Sequence, residues 1–179
     1  MRVIGGSARG RHLKGPRGPG TRPSSDLIRG AIFDILRSVG ADLSRVLDLY
    51  AGTGALGIEA LSRGAGWCDF VERGRRSCET IRENLAQTGL AERAAVHAIS
   101  ARQAPERLSG PYTLVLADPP YGDERALEDL ERMAASPLVA PGAVLVLEHS
   151  RRREAPLALG GRPLLQTRRH GDTCISLYR

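Results

Sequence analysis

The sequence predicts an α/β fold, a mostly parallel sheet covered by helices on both faces and ending in an antiparallel hairpin. Three observations predict it. From residue 45 to residue 148, apolar runs of strand length alternate with segments of helical period, which requires right-handed crossovers and hence parallel strands. A glycine-rich turn, Gly52-Thr53-Gly54-Ala55-Leu56-Gly57, joins the first such strand to the helix after it. Near the end two strand-like runs, 163–169 and 173–178, are linked by only His170-Gly171-Asp172, and a link that short makes a hairpin.

The elements follow in order. Val3-Ile4 and His12-Leu13-Lys14 flank a Gly-rich turn and suit a short β-hairpin, after which Gly15 to Pro23 reads as a Pro/Gly linker. Ser24 or Ser25 can cap a helix in which Leu27, Ile28, Ala31, Ile32, Ile35, Leu36 and Val39 recur at helical spacing up to a stop at Gly40. Strands are expected at 45–50, 67–72, 95–99, 113–117 and 143–148, and helices at 55–63, 75–87, 102–108 and 124–135. The chain thus divides into an arm, residues 1–23, and one α/β domain, residues 24–179. At 179 residues with 41% apolar content it can bury a single sizeable core.

Charge is unevenly placed. Residues 1–25 hold Arg2, Arg9, Arg11, Lys14, Arg17 and Arg22 and no acid, so the whole net charge of +6 falls there while the remaining residues balance. An acid-free basic arm is the footprint of a phosphate-backbone contact; the bland alternative is a solvated tail. No window approaches the roughly 18 apolar residues of a membrane span, and the first residues lack a signal-peptide core, so a cytoplasmic protein is expected. Cys68, Cys78 and Cys174 match no metal or redox spacing and are read as reduced, packed residues, with no metal site expected.

Gly52, Gly54 and Gly57 spell G-x-G-x-x-G, which serves NAD and S-adenosylmethionine equally: the chain leaves a strand, turns sharply, admits a ligand to its backbone and enters a helix. Glu72, at the end of the next strand, suits the ribose hydroxyls of either. Asp48 decides. At the strand's carboxyl end a carboxylate about 4 Å from a phosphate charge repels by roughly 4 kcal/mol at an intermediate dielectric, whereas it attracts the ammonium and sulfonium of S-adenosylmethionine.

Asp118-Pro119-Pro120-Tyr121 follows the apolar run 114–116, again at the carboxyl end of a strand. Two prolines stiffen the turn and free carbonyls to accept. An exocyclic amine is a poor nucleophile because its lone pair is delocalised. Accepting its hydrogens on Asp118 and the Pro119 carbonyl draws the nitrogen toward a tetrahedral shape whose lone pair can face a methyl group. Tyr121 would stack on the base, worth about 1–3 kcal/mol. The plainer alternative is a strand-terminating turn capped by Asp118.

With these residues in place the chain resembles the bacterial 16S ribosomal RNA guanine-N2 methyltransferases of the RsmD type, nearly end to end. The resemblance rests on Ile4-Gly5-Gly6, Arg9-Gly10-Arg11, Leu13 and Arg22-Pro23-Ser24-Ser25-Asp26 with Arg29; on residues 47–65; on Asp118 to Tyr121; and on Arg169-His170-Gly171-Asp172-Thr173. It implies a class I, Rossmann-like sheet of seven strands with the last antiparallel, and methyl transfer from S-adenosylmethionine to N2 of one guanine in 16S rRNA, leaving S-adenosylhomocysteine. It implies a donor site of Asp48, Tyr50, Ala51, Gly52, Thr53, Gly54, Gly57, Glu72, Arg73, Ser100, Ala101 and Asp118. Asp118, Pro119, Pro120 and Tyr121 would act on the base, and Arg2, Arg9, Arg11, Lys14, Arg22 and Arg29 on RNA. The substrate would be an assembled or assembling small subunit and the enzyme a monomer. Gly74 stands where the family usually has an acid, Ser100 where Asp or Asn contacts the adenine amino group, and Gly30 where Glu is frequent. Two other readings stay open: methylation of a DNA adenine or a protein glutamine, and a non-catalytic RNA-binding assembly factor with the same fold.

Overall fold

The computed structural model describes residues 1–15, 24–120, 123 and 125–179, and the capping expected of Ser24 or Ser25 falls on side chains outside that set. Helix α1, Ser24–Ser38, buries Ile28, Ile32 and Leu36 in one stripe, while Leu27, at the stripe's margin, is 64% exposed. Then come β1 Arg45–Leu49, α2 Ala55–Ser62, β2 Trp67–Val71, α3 Arg75–Thr88 and β3 Ala94–His97. A 3-10 turn leads into α4 Ala104–Arg107, followed by β4 Tyr112–Ala117, α5 Ala126–Ala135 and β5 Val139–Ser150. The chain ends with β6 Ala158–Leu159, β7 Arg162–His170 and β8 Thr173–Tyr178.

These strands form one sheet in the order β3-β2-β1-β4-β5-β8-β7-β6. The first five pair in parallel, and β8 lies antiparallel between β5 and β7. Seven strands were expected and eight are found; the additional one is β6, a two-residue edge paired to β7. Alternation along the parallel strands supplies a core on each face. Val46, Leu114 and Val146 meet α1 to α3 on one side, while Leu47, Val115 and Leu145 meet Leu130 and Met133 of α5 on the other. Strand order reverses at β1, between β2 and β4, and open α/β sheets bind ligands outside the carboxyl ends of strands at such a reversal.

The arm is not a free tail. Its two ends pair antiparallel, as expected of a short hairpin, around the Arg2–His12 bridge, with the Val3 N–H on the Arg11 carbonyl and the Leu13 N–H on the Met1 carbonyl at 3.0 Å each. It inserts Val3, Ala8 and Leu13 into the core beside α1 and α2. Glu59 of α2, fully buried, accepts the backbone N–H groups of Ile4 and Gly5 at 2.8 Å each and the Arg63 Nε–H at 2.7 Å. Ser62 accepts from the Ala8 N–H at 2.9 Å. Gly6, at φ +78°, passes so near α2 that a Cβ would sit 1.8 Å from the Ser62 carbonyl oxygen. The cut at residue 23 therefore does not separate two cores.

Candidate active site

The chain leaves β1 through a loop held by its own acids. Tyr50 adopts φ +68°, costly for a non-glycine residue, and its hydroxyl donates to Asp129 Oδ2 at 3.4 Å. Asp48 Oδ2 accepts the Gly57 N–H at 2.9 Å, which fixes the first turn of α2 against the end of β1. Glu72 Oε2 accepts the Gly52 N–H at 3.0 Å and its Oε1 the Gly74 N–H at 2.7 Å. Gly74, standing where the family usually has an acid, thus orients Glu72 through its backbone. Gly57 is required by packing, since a Cβ would lie 2.4 Å from Phe70 Cε1 and 2.7 Å from Cys68 Sγ. Behind the loop, buried Asn84 of α3 donates to the Thr53 carbonyl at 3.0 Å and the Lys14 carbonyl at 3.1 Å, and accepts the Lys14 N–H at 2.7 Å. One side chain therefore ties the glycine loop to the arm.

These groups open on a cleft of about 640 Å³ at the carboxyl ends of the strands. The β1 loop contributes Asp48, Tyr50, Ala51, Gly52 and Thr53; the end of β2 contributes Glu72 and Arg73; the segment after β3 contributes Ser100 and Ala101; and the end of β4 contributes Asp118, Pro119 and Pro120. Gly54 and Gly57 stand behind the wall. Tyr121, expected to stack on a base, lies outside the described residues, as does Arg22. Ser100 borders the cleft, but its hydroxyl and N–H both donate to Gln103 Oε1 at 3.1 Å and cap the 3-10 turn.

The cleft also holds Met1, Ile28, Asp123, Asp129 and Glu148, none singled out from sequence. For Glu148 a signal existed. Asp48, Glu72 and Asp118 each end a parallel strand or follow it directly, and Glu148 holds the like position near the end of β5. Asp129 sits in the first turn of α5, and only the packing of α5 against the loop brings it in.

Burial pushes the Asp48 carboxyl up to about 7, the charges of Asp118 and Glu72 push the same way, and the Gly57 N–H opposes them. Asp118 keeps surface open to the cleft, yet protein crowds its carboxyl, and that desolvation pushes it up to about 6. A buried carboxyl that neighbouring carboxylates push up, as Asp118 and Glu72 do Asp48, sits in a site that a cation stabilises. A positively charged methyl donor therefore fits the residues present: Asp48 and Asp118 for its charges, the loop backbone for close approach, Glu72 for hydroxyls.

Of the residues expected to face RNA, Arg2, Arg9, Arg11 and Lys14 are exposed, Arg11 donating to the Gln87 carbonyl at 2.8 Å and Lys14 pairing with Glu83 at 2.9 Å. Arg29 corrects that set. It is 3% exposed, and its guanidinium reaches the Arg2 carbonyl, Asp26 at 2.9 Å and Glu59 at 3.5 Å, so it holds the arm in place rather than meeting a ligand. The three cysteines are buried and unbridged. Among the described residues no helix is long and apolar enough to cross a membrane, and no group of three or more acids, histidines and cysteines is placed to hold a metal ion.

The family model described as conserved hypothetical protein 95 matches residues 1–179. The chain is 34% identical over 183 residues to a Bacillus subtilis protein named "Putative rRNA methyltransferase YlbH", covering 100% of this chain and 98% of that one. It is 32% identical over 179 residues to "Ribosomal RNA small subunit methyltransferase D" of Escherichia coli K12, covering 100% and 89%. Among solved structures, "Putative methyltransferase yhhF from Escherichia coli" superposes with a TM-score of 0.85 at 31% identity, over 99% of this chain and 96% of that chain.

Proposed function

Because this chain belongs to the conserved hypothetical protein 95 family, with rRNA methyltransferases among its full-length relatives, we propose that it methylates N2 of a specific guanine in 16S rRNA, using S-adenosylmethionine. The substrate is the small subunit, assembled or assembling. One observation supports the reading above the rest: Asp118 and the rigid Pro119-Pro120 turn share a single cleft with Asp48, Glu72 and the braced glycine loop.

When bound, the donor supplies a sulfonium methyl, and transfer forms an N–C bond as the S–C bond breaks, leaving a neutral thioether. Asp48 and Asp118, held close together with little water, are relieved by that positive charge. Glu72, its oxygens already aligned by Gly52 and Gly74, retains lone pairs for the ribose hydroxyls. Asp118 and the Pro119 carbonyl accept the two amino hydrogens, which fixes the plane of the base and turns the nitrogen lone pair to the methyl. Asp118 takes the proton released by the methylated amine, a role suited to a carboxyl near 6. Holding the reacting atoms in line can contribute roughly 7–11 kcal/mol. A guanine in a duplex hides this amino group, so the base must leave its stack, which a hairpin loop makes cheaper.

The test is to incubate the protein with labelled donor and, separately, small subunits, naked 16S rRNA, DNA and protein, and to map the mark. Label on guanine N2 of the rRNA is expected. Label confined to an adenine of DNA or a glutamine would overturn the reading, and RNA binding without transfer would leave an assembly factor.

A further inference from the structure

We infer that the corner formed by the turn after β5 and the β7–β8 hairpin is a second phosphate-contact surface, gripping the RNA backbone beside the base being methylated. The inference rests on the rRNA reading above. Summed over residues 26–179 the charges cancel, yet the fold does not spread them evenly. Arg151, Arg152 and Arg153 follow β5 directly, and Arg168 and Arg169 end β7, all five exposed. Arg151 joins the two stretches: its N–H donates to the Asp172 carbonyl at 2.9 Å and its Nε pairs with the Asp172 carboxylate at 2.9 Å. That contact brings the other four arginines to one corner. Among the described residues no acid pairs with Arg152, Arg153, Arg168 or Arg169.

Position, more than charge, points to RNA. Glu148 and Thr173, from β5 and β8, border the main cleft, and Ser150 pairs with Thr173 across the sheet. Arg153 itself borders a small niche, about 40 Å³, that shares Pro119, Pro120, Asp123 and Glu148 with that cleft and is also lined by Glu154. A base seated against Asp118 must bring its own sugar-phosphate and its neighbours' to the rim, and the rim beside Pro119-Pro120 is where Arg153 stands. The cleft itself is acidic and would repel the backbone, so a cationic rim settles where the backbone can run. The arm alone does not supply it: Lys14 and Arg11 are partly engaged, and Arg29 is buried.

The test compares two triple variants with equal charge change. Arg152→Gln, Arg153→Gln and Arg168→Gln remove the corner. Arg37→Gln, Arg107→Gln and Arg179→Gln remove exposed charge near the amino ends of the strands, away from the cleft. Binding to small subunits and to a 16S rRNA fragment is measured across salt concentrations, with the thermal shift given by S-adenosylmethionine as control. The corner variant is expected to bind RNA at least ten-fold more weakly near 0.1 M salt, with the logarithmic salt slope reduced by about 2, since each single-strand phosphate contact contributes about 0.7. Its donor-induced shift should match that of the unaltered protein. A corner variant that binds RNA like the control triple overturns the inference. An unaltered protein that methylates no rRNA refutes instead the reading on which it rests.

Discussion

Asp48 does two jobs with one carboxylate, bracing the loop through the Gly57 N–H and presenting negative charge to the cleft. Its pKa near 7 sets the sign of a pH dependence. In the unfolded chain the group ionises near the ordinary 3.8, so the folded, ligand-free protein holds the proton longer. Its stability is therefore full below that value, declines as pH rises toward 7, and is flat above. Donor binding needs the anion and runs the other way: affinity should rise roughly 20-fold between pH 5.5 and 7.5. Isothermal titration at the two pH values checks this, and Asp48→Asn should flatten the profile; an equally steep profile in that variant would move the titration to another group. Asp118 carries a different expectation. Asp118→Ala should lower kcat by at least about 100-fold even at saturating donor, because proton acceptance contributes roughly 10²–10⁴, while the donor-induced thermal shift shrinks but persists, since Asp48 and the loop are untouched. A kcat restored at saturating donor would show that Asp118 serves the cofactor alone and not the base.

At the scale of elements, α2 is held from both ends, by the glycine loop at its start and by the arm along its side. Gly57→Ala should destabilise by about 1–3 kcal/mol, because the new methyl meets the Phe70 ring and Cys68 between sheet and helix, and donor affinity should fall with the displaced N–H that Asp48 accepts. Denaturant midpoints and donor titration read the two effects separately. Glu59→Ala removes one of the two acids that face buried Arg29 and frees two arm amides, which should cost about 3–5 kcal/mol. The strands and helices of this framework were legible because period 2 and period 3.6 are local: every parallel strand and its crossover fell within a few residues of its expected place. The loop acids were legible for the same reason, each ending a strand. Glu59 was not, since an acid in an apolar helix reads as a solvent-facing residue until the arm's bare N–H groups are seen above it. Arg29 was misread by the same logic, as a charge near a basic arm that turned out to be its buried anchor. Asp129 depends on how α5 packs, which no spacing in the sequence encodes.

Taken whole, the molecule sets an acidic cleft among basic surfaces, a pattern suited to a cation within and a polyanion at the mouth. The sequence-level contrast between a charged arm and a neutral remainder located half of this, because a sum over residues 26–179 cannot register that one corner of the sheet collects its arginines. Integration of the arm also changes how its role is tested. Deleting residues 1–15 would strip Val3, Ala8 and Leu13 from the core and strand the Glu59 carboxylate, so lost RNA binding would report only lost folding. Charge can be removed without that damage at Arg2 and Arg9, whose side chains are exposed and whose structural duties rest on backbone groups. Arg2→Gln with Arg9→Gln should leave the thermal midpoint and the donor-induced shift unchanged and reduce the salt slope of RNA binding by about 1.4, two contacts at about 0.7 each. An unaltered slope in a protein that still methylates its RNA would assign the arm to scaffolding, with Glu59 and Asn84 as its attachments and the β5–β8 corner left to grip the backbone.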